Sequence, residues 1–395
     1  MSQEIEFSTM TDSAAQIQPL IDQFTAQTGI SVRLRLLTWD TAWSDLARIG
    51  LYGDGADVSE VGSTWLGDLV AMHVLQPFSA DEIAGLGGAA AFLPSAWAGT
   101  QLVGQSETWA IPWMTGARLL VYRRHLLEAA GVDERSAFGS VTQFEQTVAR
   151  LHEAGGVTPW LVPTGITHTT LLNVASWVWG SGGDFVTPDG RRTLFSAPAA
   201  RAGLRAYFAL GRYLTPAVRH LRRLQPDEYF VQHADAALTI SGPWLVLNAR
   251  SAATAGAERL GIALPPGASF VGGSSLVIWQ RSRQHEAALA WIRFLTQTAA
   301  QVEYSRLIGL LPVRRAALEA WPFTGDPLWQ RVREGVAGGR SFPVTPTWGL
   351  LEYRLAATFG SLWTEILTQA QPNLDALLVR YLDPLAERLD AVLKQ

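Results

Sequence analysis

Apolar positions in the first third of the chain switch repeatedly between two periods. Residues 5–8, Ile-Glu-Phe-Ser, read as a short strand. Ile17, Leu20, Ile21 and Phe24 recur at helical spacing, with Asp12 or Ser13 as a cap and Gly29 as a stop. Residues 30–37 then alternate Val32, Leu34 and Leu36 with Arg33 and Arg35, which predicts a second strand. A helix around 41–49, a strand at 56–61 and a helix through 66–73 follow. This β-α-β-α-β order predicts a parallel sheet with helices on both faces, hence an α/β fold. Ligands of such sheets lie beyond the carboxyl ends of the strands, here the loops 9–12, 38–40 and 62–65.

The middle of the chain changes character. A strand-like stretch at 119–122 precedes a mainly helical region, 124–260, broken by turns at 180–184 and 188–190. Residues 236–241 predict a strand closed by Gly242-Pro243-Trp244, and Gly272-Gly273-Ser274-Ser275 leads into another at 276–279. Ala288, Trp291, Ile292 and Leu295 share one face of a helix at 286–296, so Trp291 is read as core. From Asn373 the chain is helical, and Pro384 is expected to kink or divide that helix.

Length and composition narrow the function classes. A chain of 395 residues exceeds one ordinary core, so at least two domains are expected, and 48% hydrophobic residues can fill them. The net charge of −4 supplies no basic surface for nucleic acid. Without cysteine there is neither a disulfide framework nor a thiolate metal site. No apolar run reaches the ~18 residues of a membrane span, and the N-terminus does not read as a signal peptide. The seven histidines (73, 125, 152, 168, 220, 233 and 285) show no metal-ligand spacing, and HExxH, P-loop and GxSxG patterns are missing. No metal or cofactor is therefore expected.

Seven segments, in order, resemble family 1 of the extracellular solute-binding proteins, the sugar-binding group. They are FTAQTGISV (24–32), ADVSEVGSTWLGDLVAMHVL (56–75), IPWMTGARLLVYRRHLLEAAG (111–131), ASWVWGSGGD (175–184), ALTISGPW (237–244), VGGSSLVI (271–278) and GLLPVRR (309–315). The resemblance implies a periplasmic-binding-protein-like architecture of two α/β lobes joined by a three-crossing hinge. The N-lobe would hold residues 1–111 and 273–312 and the C-lobe 112–272 and 313–395, with the ligand cleft between them and capture by hinge closure. It also implies a carbohydrate ligand, the transmembrane permease subunits of an ABC importer as partner, and a monomer. The location implied is periplasmic or extracellular, free or lipid-tethered, with an export segment removed. One departure is Gly116, where the family often carries an acid that grips sugar hydroxyls.

A sugar offers C–H faces that stack on aromatic rings and hydroxyls that need paired donors and acceptors. Sixteen tryptophans, several in loops beside short polar residues, suit that chemistry. The expected ligand-binding set is Thr11, Trp39, Asp40, Ser63, Thr64, Trp65, Trp113, Thr115, Trp177, Trp179, Trp244, Gly273, Ser274, Trp348 and Glu352. Of these, Trp244 as an aromatic platform and the Trp348 loop near the cleft are what the resemblance implies. The Gly273 and Ser274 amides would donate to the ligand. Trp177 and Trp179, two apart on a helix, would diverge, so only one should face the cleft. For any single tryptophan the competing reading is a core residue. Two other functions stay open: a binding protein for a glycerophosphodiester (through Arg314, Arg315 or Arg354) or a polyamine, and a Trp-rich glycoside hydrolase. The hydrolase would need a carboxylate pair from residues such as Asp40, Glu60, Asp184 and Glu352.

Overall fold

A computed structural model describes residues 3–393 apart from 12, 40, 223–224, 252–256 and 321. The chain forms two compact units. Unit 1 comprises Met1–Gly116, Gly272–Gln330 and Phe342–Gly349; unit 2 comprises Ala117–Val271, Arg331–Ser341 and Leu350–Gln395. The chain thus passes from one unit to the other after Gly116, Val271, Gln330, Ser341 and Gly349, more often than the three crossings expected. Residues 313–330 and 342–349 belong to unit 1, not to the second unit where the expected boundaries put them. Local contacts explain this. Val313 is buried in the unit 1 core, Arg314 donates to the Leu86 carbonyl at 2.9 Å, and the Val344 carbonyl accepts the Val103 N–H at 3.0 Å.

Unit 1 is built on a six-stranded sheet, order β2-β1-β3-β8-β4-β9. Its strands are β1 (Glu4–Thr9), β2 (Ser31–Leu36), β3 (Val58–Gly62), β4 (Ile111–Ala117), β8 (Val271–Ile278) and β9 (Leu311–Pro312). β1 pairs in parallel with both β2 and β3, as the alternating pattern predicts. The sheet as a whole is mixed, because β8 enters antiparallel to β3 and β9 antiparallel to β4. Side chains alternate across it. Leu276 and Ile278 pack with Phe7, Val58 and Trp113 on one face, while Val277 and Trp279 pack with Val61, Leu46 and Leu69 on the other. The Ala14–Thr28 helix buries Ile17, Leu20, Ile21 and Phe24 and ends at Gly29, whose φ of 73° is the left-handed stop that glycine supplies. Ser13 sits at its N-cap without a side-chain bond, and Asp12 lies outside the described residues.

Unit 2 carries a three-stranded antiparallel sheet, order β6-β5-β7, of β5 (Leu119–Arg123), β6 (Leu238–Ser241) and β7 (Leu260–Ala263). Helices make up most of the rest. The His168–Gly180 and Pro198–Ala209 helices approach closely because Gly203 has no side chain: a Cβ there would stand 2.4 Å from the Trp177 carbonyl oxygen. Trp160, Trp177, Tyr207, Phe208 and Trp363 fill the core with edge-to-face contacts such as Trp177–Tyr207 at 5.1 Å. Arg123, fully buried, ties β5 to the helix Gln225–Gln232 and the turn after it through the carbonyls of Phe230 (2.6 Å) and Ala236 (3.1 Å). The Leu374–Leu393 helix runs through Pro384, so of the expected kink or division the division does not occur, and it buries Leu377, Leu378, Leu382, Leu385 and Leu389.

Trp113 is a core residue, not a ligand contact. It is completely buried in unit 1, stacked on Tyr304 at 4.6 Å and edge-on to Phe7 at 6.0 Å. Trp113→Ala should cost about 3–5 kcal/mol of folding stability. Urea unfolding followed by circular dichroism will show this, and an unmoved midpoint would remove the ring from the core.

Candidate functional site

In unit 1 the parallel pairing puts the carboxyl ends of β1, β2 and β3 on one edge, where the following segments carry polar and aromatic groups. Glu60, buried near the end of β3, accepts the Met10 N–H at 2.8 Å and the Thr9 hydroxyl at 2.5 Å, fixing the turn after β1. Trp65 begins the Leu66–Ala71 helix, its ring laid against Gly62, where a Cβ would be 3.3 Å away. Trp39 and Trp43 flank it, at centroid distances of 5.8 and 6.1 Å. Trp39 and Trp65 are half-buried and Trp43 is 36% exposed, so the group offers ring surface to solvent. Gly62 faces Ser274 in the β3–β8 register, and the Ser63 N–H donates to the Gly273 carbonyl at 3.0 Å. The run Gly272–Ser275 is therefore strand rather than turn. A Cβ at Gly273 would stand 2.1 Å from the Met114 carbonyl oxygen, so close backbone approach explains the glycine.

Unit 2 presents a second arrangement. The register Leu119↔Ser241 sets Arg118, just before β5, beside the end of β6. Trp244, in the first turn of the Pro243–Ser251 helix, is half-buried and rests on Gly242, where a Cβ would overlap the ring. The Arg118 guanidinium lies 5.3 Å from its centroid. The Trp244 indole N–H donates to Asp227 Oδ2 at 3.0 Å, and the Ser241 hydroxyl donates to the same oxygen at 2.7 Å. Burial pushes the Asp227 carboxyl above the usual carboxylate range, against the hydrogen bond from Ser241, the charge of Arg118 and the bond from Trp244. An indole flanked by a carboxylate and a guanidinium can stack on a ring and exchange hydrogen bonds with its substituents.

Residues 8–302 match the family described as bacterial extracellular solute-binding protein. The chain belongs to that family. A binding protein of Brucella abortus is 23% identical over 403 residues, spanning 98% of this chain and 93% of its own. Two solved structures share the fold. One is an ABC-transporter solute-binding protein of Thermotoga lettingae bound with α-D-tagatose (TM-score 0.88, 20% identity, 99% of this chain and 100% of that one). The other is the GacH receptor of Streptomyces glaucescens, solved unliganded and with acarbose (TM-score 0.83, 19% identity, 98% and 99%).

Among the residues expected to bind ligand in this solute-binding protein, Trp39, Ser63, Thr64, Trp65, Gly273 and Ser274 fall on the β3 edge of unit 1, and Trp244 stands on unit 2. Others are placed elsewhere. Trp177 is fully buried between Phe144 and Tyr207, and Trp348 is 1% exposed and stacked on Phe342 at 4.3 Å; neither ring has a free face. Trp179, the other half of the i, i+2 pair, is 7% exposed, donates to Asp184 at 3.1 Å and lies under Arg340. Both are therefore turned inward, against the expectation that one would face ligand. Glu352 is buried at 6% exposure, Thr115 donates to the Gly272 carbonyl at 3.0 Å, and Thr11 bonds Gln16. Asp40 lies outside the described residues. Gly116 sits on β4 where a Cβ would meet Leu310 Cδ2 at 2.7 Å, so an acid could not replace it without displacement. Trp43, Arg118 and Asp227 were missed. The four-residue spacing of Trp39 and Trp43 at a helix start was the available signal for the first; nothing local marked the other two.

Asp68, one turn beyond Trp65, accepts the Gly349 N–H, and burial lifts its pKa from 3.8 to about 6. Close packing surrounds it, since a Cβ on Gly349 would be 2.0 Å from Asp68 Oδ2. A carboxyl whose folded pKa lies above its unfolded value holds its proton more tightly when folded, so its ionisation lowers stability as pH rises from about 4 to 6. Asp68→Asn keeps the acceptor and removes the charge. It should raise Tm above wild type at pH 8 and leave it unchanged at pH 4; the same offset at both pH values would contradict a buried, late-ionising carboxyl.

Proposed function

We propose that this solute-binding protein is the receptor of an ABC-type importer, that it captures a neutral carbohydrate outside the cytoplasmic membrane, and that it makes and breaks no bonds in its ligand. The observation that carries this reading is the set of partly exposed indoles: the Trp39–Trp43–Trp65 group, next in sequence to Ser63 and Thr64, and Trp244, held by Asp227. Such surfaces fit a pyranose, whose C–H face stacks while its hydroxyls seek acceptors and donors. The fold neighbours carrying α-D-tagatose and acarbose support the same ligand class. Among the described residues no helix is long and apolar enough to cross a membrane.

A phosphate ligand has less to support it, because Arg314 and Arg315 are engaged. Arg314 donates to the carbonyls of Thr296 and Leu86, and Arg315 to that of Phe92. Two of the hydrolase candidates are engaged structurally: Glu60 fixes the turn after β1, and Asp184 is held by Arg340 at 2.5 Å.

Calorimetric titration against D-glucose, D-tagatose, maltose, maltotriose, glycerophosphocholine and spermidine tests the reading. At least one sugar should bind, with the last two silent. Trp65→Ala and Trp244→Ala should each weaken binding by about tenfold or more, equivalent to about 1.4 kcal/mol, without loss of fold. Heat only from glycerophosphocholine or spermidine would replace the carbohydrate by that ligand class, and full affinity in both variants would place the ligand elsewhere.

A further inference from the structure

Asp227 stands on the helix Gln225–Gln232, and both of its hydrogen bonds fall on one oxygen. Oδ2 takes the Ser241 hydroxyl at 2.7 Å and the Trp244 indole N–H at 3.0 Å. Oδ1 receives no hydrogen bond from the described residues, and Asp227 as a whole is only partly buried. A carboxylate oxygen carries about two acceptor positions, so the side chain is used on one side and open on the other. The ring that Asp227 holds is itself half-exposed and backed by Gly242. A flat ligand on that ring would bring its edge groups to Oδ1.

We propose that Asp227 decides what this receptor accepts: it positions the Trp244 ring through Oδ2 and receives a ligand hydroxyl at Oδ1. The proposal rests on the carbohydrate reading above and deepens it. Indole N–H donation fixes the ring without consuming its face, while the Ser241 bond anchors the carboxylate to the end of β6. A ligand hydroxyl can donate to Oδ1, and a ligand lacking that hydroxyl loses the bond, so the oxygen discriminates between otherwise similar rings.

Asp227→Asn separates the two roles, because its amide oxygen can still accept from Trp244 and Ser241 while the outward atom becomes a donor. Wild type and variant are titrated with the tightest-binding of D-glucose, D-tagatose, maltose and maltotriose, and with its monodeoxy analogues. The variant should fold with a Tm no lower than wild type and bind the sugar about tenfold or more weakly. One deoxy analogue that binds wild type poorly should lose much less in the variant, since its missing hydroxyl no longer has a carboxylate to lose. Unchanged affinity, or the same deoxy penalty in both proteins, overturns the proposal and reduces Asp227 to a support for the ring. Should Asp227→Asn fail to fold, Asp227→Glu keeps the charge but moves it by one methylene, and undiminished sugar affinity there overturns the proposal equally. No sugar binding by the wild type would instead sink the carbohydrate reading, and this proposal with it.

Discussion

The pairing of β8 with β3 is the constraint on which unit 1 depends. Five residues at 58–62 meet 274–278, more than two hundred positions along the chain, in antiparallel register. That pairing inserts a returning strand into the sheet started by the parallel β1, β2 and β3. The pleat then divides its side chains, giving Leu276 and Ile278 to one core and Val277 and Trp279 to the other. A slip by one residue would exchange the two sets. The same register lays Gly273 beside Ser63, so core packing and the edge next to Trp65 are set by one ladder.

Tryptophan serves both purposes in this protein, and backbone geometry decides which. Trp113, Trp177 and Trp291 project from strand or helix faces already committed to the interior, where edge-to-face and stacked contacts hold them. Trp65 and Trp244 follow strand ends and open helices, and each lies back on a glycine, Gly62 or Gly242, that leaves room for the ring. An indole supported from behind and held at its N–H is rigid, so little conformational entropy remains to be lost when a ligand stacks on it. Asp227 provides that restraint for Trp244, and Trp39 and Trp43 flank Trp65.

Much of this was legible in the chain itself. Helical spacing at Ile17, Leu20, Ile21 and Phe24, alternation at residues 30–37 and the seven ordered segments determined the α/β class, the early parallel strands and the family. Those signals are local, and short-range periodicity records them directly. Loop context beside short polar residues also pointed to Trp39 and Trp65, and the family resemblance to Trp244. What only the tertiary structure decided depends on residues distant in sequence. Trp113, Trp177 and Trp348 read like site residues by context, yet Tyr304, Tyr207 and Phe342 close over them. Residues 313–330 and 342–349 joined unit 1 because Val313 and Val344 found partners there. Asp227 and Arg118 carried no local mark at all. Strand register and a helix docked against it bring them to Trp244, and neither constraint is written in the residues next to either one.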